Sequence, residues 1–88
     1  MRLALLFDDE RTQQIINDAQ SEAYERMEKL TTRQRQIAAL LAEGMPNKVI
    51  AHRIGITERT IENHRAEIME RTGSKTFASL VRLVVLAG

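Results

Sequence analysis

Apolar residues fall three and four positions apart along most of the chain, and nowhere do they alternate with polar ones over the length of a strand. That is the period of helices buried on one side, so the expected fold class is all-α. Ile16, Ala19, Ala23, Met27 and Leu30 form one narrow apolar stripe on an otherwise charged segment. The stripe predicts an amphipathic first helix from Asp8 or Asp9 to Lys29. Acids at its start and Lys29 near its end complement the helix dipole. It is shorter than the three to four heptads that a coiled coil requires, so docking on the body or linking it to another domain is expected.

The punctuation after this stripe divides the remainder into four short helices. In "LTTRQRQIAALLAEG", Thr31 and Gln34 have the spacing of a capping box, Ile37, Leu40 and Leu41 form the core face, and Gly44 ends the helix. A short helix is expected from Asn47 to Ile54, with a turn at Gly55 and Ile56. Thr57 then caps a helix over about 58–72, which Gly73 terminates. Ser74 or Thr76 caps a last helix running through Leu86. The domain division expected is a linker helix over 1–30 and a helical domain over 31–88.

Composition narrows the function classes. The 88 residues contain no Cys, which excludes disulfides and thiolate metal sites. Two His without Cys argue against any metal, and no cofactor is expected. There is no Ser/His/Asp arrangement, no phosphate-cradling Gly loop and little room for an enclosed pocket, so an enzyme is not expected. No apolar run approaches the roughly 18 residues that span a bilayer, and a reducing cytoplasm suits the composition. Only Phe7, Tyr24 and Phe77 are aromatic, too few for stacking on unpaired bases. The net charge of +1 hides an asymmetry: residues 1–30 hold seven acids and four bases, residues 31–88 nine bases and five acids. A basic body suits a polyanion.

The informative unit is the helix pair around Gly55. A helix-turn-helix needs a small residue at the crossing, a turn residue tolerant of positive φ, and apolar side chains that lock the angle. Ala51 and Gly55 meet the first two needs, and Ile50, Ile54, Ile56 and Ile61 the third. On the second helix Ile61, Ile68 and Thr72 share one face. Arg59, Asn63 and Ala66 lie opposite, with Glu62 at the flank. The early turns of such a helix enter the major groove. Arg59, Glu62, Asn63 and Ala66 are therefore the candidates to meet bases: Asn63 can bond an adenine edge, Glu62 can accept from a cytosine amino group, and Ala66 permits close approach. Lys48, Thr60, His64 and Arg65 are candidates for phosphate. Arg65 has a second option, an ion pair with Glu62 or Glu58.

The segment "LTTRQRQIAALLAEGMPNKVIAHRIGITERTIENHRAEIMERTG" resembles the LuxR/FixJ-type DNA-binding domain, whose pattern runs L-T-x-R-E, then G-x-x-N-K-x-I-A, then L-x-I-S/T-x-x-T-V-x-x-H. The resemblance covers about residues 30–88, and "RTIENHRAEIM" is similar to the FixJ-like response-regulator branch. It implies a four-helix domain with a helix-turn-helix, in bacterial transcription regulators that bind double-stranded DNA as dimers. It implies base contacts at Glu62, Asn63 and Ala66, and phosphate contacts around Asn47, Lys48, Thr60 and His64. Three residues depart from the family: Gln34 stands where Glu is usual, Thr32 where Pro is frequent, and Pro46 where Ser is common. Other branches carry Lys in place of Glu62, so their base preferences do not transfer.

The last helix, "KTFASLVRLVVLAG", is apolar on more than one side. Phe77, Val81 and Val84 can face the domain, and Leu80, Leu83, Val84 and Ala87 form a second ridge. The resemblance implies dimerisation through this helix, and the ridge is the expected contact; the other possibility is that the first helix covers it. The expected protein is thus the output domain of a bacterial regulator, either excised with its linker or standing alone. Its partners would be promoter DNA, a second copy, RNA polymerase and an upstream receiver or sensor, with no membrane. A sigma-factor-like promoter reader and a protein-only interaction module are the alternatives.

Overall fold

The computed structural model describes residues 9–88. A helix start at Asp8 lies outside the described residues. Five helices follow: α1 Glu10–Glu28, α2 Thr32–Ala42, α3 Asn47–Ile54, α4 Glu58–Thr72 and α5 Phe77–Ala87. The described residues contain no strand, and the fold is all-α.

Local chemistry sets the ends of these helices. Asp9 accepts from the Arg11 N–H, Thr57 from that of Thr60 and Thr76 from that of Ser79, each satisfying a first-turn donor without an intrahelical partner. At α2 the capping box forms: the Thr31 hydroxyl accepts from Gln34 N at 3.1 Å, and Gln34 Oε1 accepts from Thr31 N at 3.3 Å. Thr76, not Ser74, caps α5; the Ser74 hydroxyl is buried and bonded to that of Thr72 at 2.8 Å. Pro46 precedes α3 in extended conformation, and its carbonyl accepts from Val49 and Ile50.

One core joins the elements. Ile37 and Leu41 of α2, Ile50 and Ala51 of α3, Ile61 and Ile68 of α4, and Leu80 of α5 are buried together with Met27 and Leu30. The α1 stripe docks at its C-terminal half, where Ala23 and Met27 are buried, and α1 packs chiefly along α5. Arg26 adds a polar tie, donating to the Thr72 carbonyl at 3.4 Å while paired to Glu22 at 2.8 Å. A guanidinium there meets the negative end of the α4 dipole.

This packing takes Leu80 out of the expected dimer ridge. Leu80 is fully buried, and Leu83, Val84 and Ala87, on the same side of α5, are each partly covered. The ridge faces the body because α1 and α2 need an apolar wall, and burying Leu80 removes a large apolar surface from water. The outward side of α5 carries Ala78, Arg82 and Val85, with Val81 half-buried beside them. Phe77 does not enter the core; it is 37% exposed at the start of the helix.

Candidate nucleic-acid interface

The turn between α3 and α4 is built on Gly55, whose φ of 74° and ψ of 34° lie in the left-handed region. A β-carbon there is strained by the backbone itself. The Ala51 carbonyl accepts from both Gly55 N at 2.9 Å and Ile56 N at 3.0 Å, which closes the end of α3. Ala51 is buried at the crossing. Ile50 and Ile61 are fully buried, and Ile54 and Ile56 pack against the same core. The angle of α4 is therefore fixed by apolar contact on one side and turn geometry at its start.

On α4, Ile61, Ile68 and Thr72 face inward. Arg59, Glu62, Asn63 and Ala66 are exposed in a row on the other side. Of the acids, Glu58 sits in the first turn, where the dipole favours it. Glu67 is bound elsewhere: its Oε2 accepts from the buried Gln34 Nε2 at 2.7 Å. Glu62 pairs with nothing, since the one ion pair among the described residues is Arg26–Glu22.

Arg65 takes neither of the carboxylates that offered it an alternative to phosphate. Its guanidinium lies 4.5 Å from the centre of the Phe77 ring. Arg65 and Phe77 border a shallow concavity together with Pro46, Asn47, Lys48 and Glu58. The structure thus gathers Asn47, Lys48 and Arg65 at the mouth between α3 and α4. Thr60 and His64 are not among its walls. The Thr60 hydroxyl bonds the capping Thr57 hydroxyl at 2.9 Å, and His64 is half-buried. Asn47 Oδ1 and His64 Nδ1 are buried side-chain atoms without a hydrogen-bond partner. Such atoms cost stability unless water or a ligand meets them.

Two contacts escaped the sequence reading. The Arg65–Phe77 cation–π contact spans the Gly73 turn, and the only available signal was that Phe77 is an aromatic in a chain that has few. The other joins three residues: Gln34 Oε1 accepts from Arg71 Nη1 at 3.1 Å while its Nε2 serves Glu67. Gln34 was legible only as a cap.

A scaffold helix buried on one side, a left-handed glycine turn and a second helix with one face free define a helix-turn-helix. The family described as "Bacterial regulatory proteins, luxR family" matches residues 28–87, and the chain belongs to it. It is 41% identical over 71 residues to the transcriptional regulatory protein FixJ of Azorhizobium caulinodans, covering 81% of this chain and 34% of that protein. FixJ of Rhizobium meliloti is 38% identical over 63 residues, 72% of this chain and 31% of its own length. The transcriptional regulatory protein UhpA of Escherichia coli is 42% identical over 57 residues, 65% of this chain and 29% of its own. The chain spans about a third of the length of these relatives. It is a DNA-binding domain of the transcription-regulator type, and no helix among its described residues is long and apolar enough to cross a membrane.

Proposed function

We propose that the chain is the output domain of a two-component response regulator of the FixJ kind, which reads promoter DNA by laying α4 in the major groove. The observation that carries this is the exposed row Arg59, Glu62, Asn63 and Ala66 on a helix whose other side is locked into the core. Asn63 reads an adenine edge, the unpaired Glu62 accepts from a cytosine amino group, and Ala66 lets the helix approach. Asn47, Lys48 and Arg65 meet phosphate from one concavity, with Thr60 and His64 as further contacts. In this reading α1 continues toward an upstream receiver or sensor domain, and residues 1–30 and 31–88 act as linker and reader. The protein works in the bacterial cytoplasm, where RNA polymerase is its further partner.

Binding across a salt series tests this. Duplexes selected from a random pool by the wild-type chain should lose affinity with a slope near −0.9 per phosphate contact. Lys48→Ala should weaken all sequences alike and flatten that slope by about 0.9. Asn63→Ala should relax the preference at one base pair, at a cost of about 1–3 kcal/mol in discrimination. Absence of binding to any duplex at low salt would overturn the proposal in favour of a protein-only module.

The dimer is proposed on the outward side of α5, around Ala78, Val81 and Val85. Val85 is 69% exposed, a large aliphatic side chain left in water on the helix that the family resemblance assigns to dimerisation. Val85→Asp should abolish any concentration-dependent dimer seen by sedimentation on DNA while leaving the melting temperature nearly unchanged. A dimer unaffected by this change would put the contact elsewhere.

A further inference from the structure

Arg65 lies three residues beyond Glu62 and seven beyond Glu58 on α4, and opposite charges at the shorter spacing ordinarily pair on a helix surface. Here they do not. The guanidinium carbon stands 4.5 Å from the centroid of the Phe77 ring, within the range of a cation–π contact. Arg65 is half-buried, and neither its guanidinium nor the Glu62 carboxylate takes part in any hydrogen bond or ion pair among the described residues. Phe77 is well placed to hold it. It is the first residue of α5, its backbone fixed by the Thr76 cap, and its ring stays at the surface and out of the core.

A cation–π contact engages the guanidinium through its charge and uses none of its N–H groups as hydrogen-bond donors to an oxygen, so they stay free to donate. A planar fork held in this way is suited to a phosphate oxygen pair. Arg65 and Phe77 share that concavity with Lys48, which sets a second cation beside the fork, and with the Asn47 side chain and the Glu58 carboxylate.

We infer that Phe77 is a positioning residue for DNA recognition: its ring holds Arg65 toward the phosphate-binding concavity and away from Glu62, so that Glu62 remains free to read a base. The inference rests on the proposed docking of α4 in the major groove. It gives α5 a part in reading DNA that is separate from the dimer contact on its outward side. Without the ring, Arg65 swings to Glu62, and one event removes a phosphate contact and neutralises a selector.

The experiment compares wild type, Phe77→Leu, Phe77→Tyr, Arg65→Gln and the Phe77→Leu/Arg65→Gln double variant, all in the 88-residue chain. The probe is a duplex selected from a random pool by the wild type, with the base pair under Glu62 then varied. Phe77→Leu should weaken binding about threefold and Phe77→Tyr should restore it, since both rings offer a π face and Leu does not. The salt slope should flatten by up to about 0.9 in Phe77→Leu and in Arg65→Gln, with no further change in the double variant. Base preference under Glu62 should relax in Phe77→Leu yet persist in Arg65→Gln, where no cation remains to capture the carboxylate. Circular-dichroism melting that stays within a few degrees across the set assigns these effects to positioning, and a Phe77→Leu loss that follows a fallen melting temperature overturns the inference. Additive losses, or a Phe77→Leu variant with unchanged slope and base preference while Arg65→Gln weakens, also overturn it. If the wild type selects no duplex, the DNA-reading proposal fails and the inference fails with it.

Discussion

Ile61→Ala should lower the stability of the domain by about 3–4 kcal/mol, the range for emptying a fully buried aliphatic site. Ile61 is fully buried and belongs to the recognition helix, one turn after the Thr57 cap. It packs in the cluster that holds Ile50 and Ala51 of the scaffold helix. The truncation leaves a cavity where α3 and α4 cross, and a small domain has few other contacts with which to close it. Total stability for a chain of this size is on the order of 5–10 kcal/mol, so this loss brings the transition close to ambient conditions. Urea denaturation measures it, and DNA affinity should fall in parallel because α4 loses its seat. Val85→Ala removes an aliphatic side chain that is 69% exposed and should change monomer stability by less than about 0.5 kcal/mol. Equal losses from the two changes would contradict the core described above.

The second large effect is expected from the mildest substitution in size, Gln34→Glu. Gln34 is 2% exposed and uses both ends of its amide. Oε1 accepts from Thr31 N and Arg71 Nη1, while Nε2 donates to Glu67 Oε2 at 2.7 Å. A glutamate has no donor for Glu67 and sets a carboxylate oxygen against another. Its gain is an ion pair with Arg71, whose guanidinium already makes a charge-assisted bond to the neutral amide oxygen in the wild type. Because Glu67 lies on the exposed side of α4, it can turn away, and the expected net loss is about 1–2 kcal/mol. Glu67→Gln in the same chain should recover most of it. A double-mutant cycle in denaturant checks this, with a coupling energy of about 1 kcal/mol expected. A cycle that closes to zero would mean that Gln34 and Glu67 do not interact in solution. The family's usual Glu at this position is therefore not interchangeable with Gln34 here, because its partner on α4 is an acid.

The ends of α2, α3 and α4 were legible because caps and left-handed stops are local. Thr31, Thr57 and Gly55 act within one turn of their own positions, while at α5 Ser74 and Thr76 both fitted and the burial of Ser74 against Thr72 chose Thr76. The division of α4 into a buried and an exposed side was equally legible, since Ile61, Ile68 and Thr72 share one side of the helix at its own period. On α5 the same method did not place Leu80 in the core. With Leu80, Leu83, Val84 and Ala87 on one side and Val81 and Val85 near the other, periodicity identifies the ridges but not the one that α1 and α2 will cover. The partner of Arg65 was undecidable for a similar reason. Two carboxylates lie nearby on its own helix, whereas Phe77 reaches it only after the chain has turned at Gly73.

By itself the sequence determined the all-helical class, the helix boundaries from α2 to α4, the glycine turn and the family, all of which follow from the order of neighbouring residues. Tertiary structure alone decided that Leu80 belongs to the core, that Gln34 links Thr31, Glu67 and Arg71, and that Arg65 rests on Phe77 and not on Glu62. The physical reason is range. Caps, dipoles and helical faces act over a few residues, whereas the choice among competing partners for one side chain depends on which distant surface packs against it.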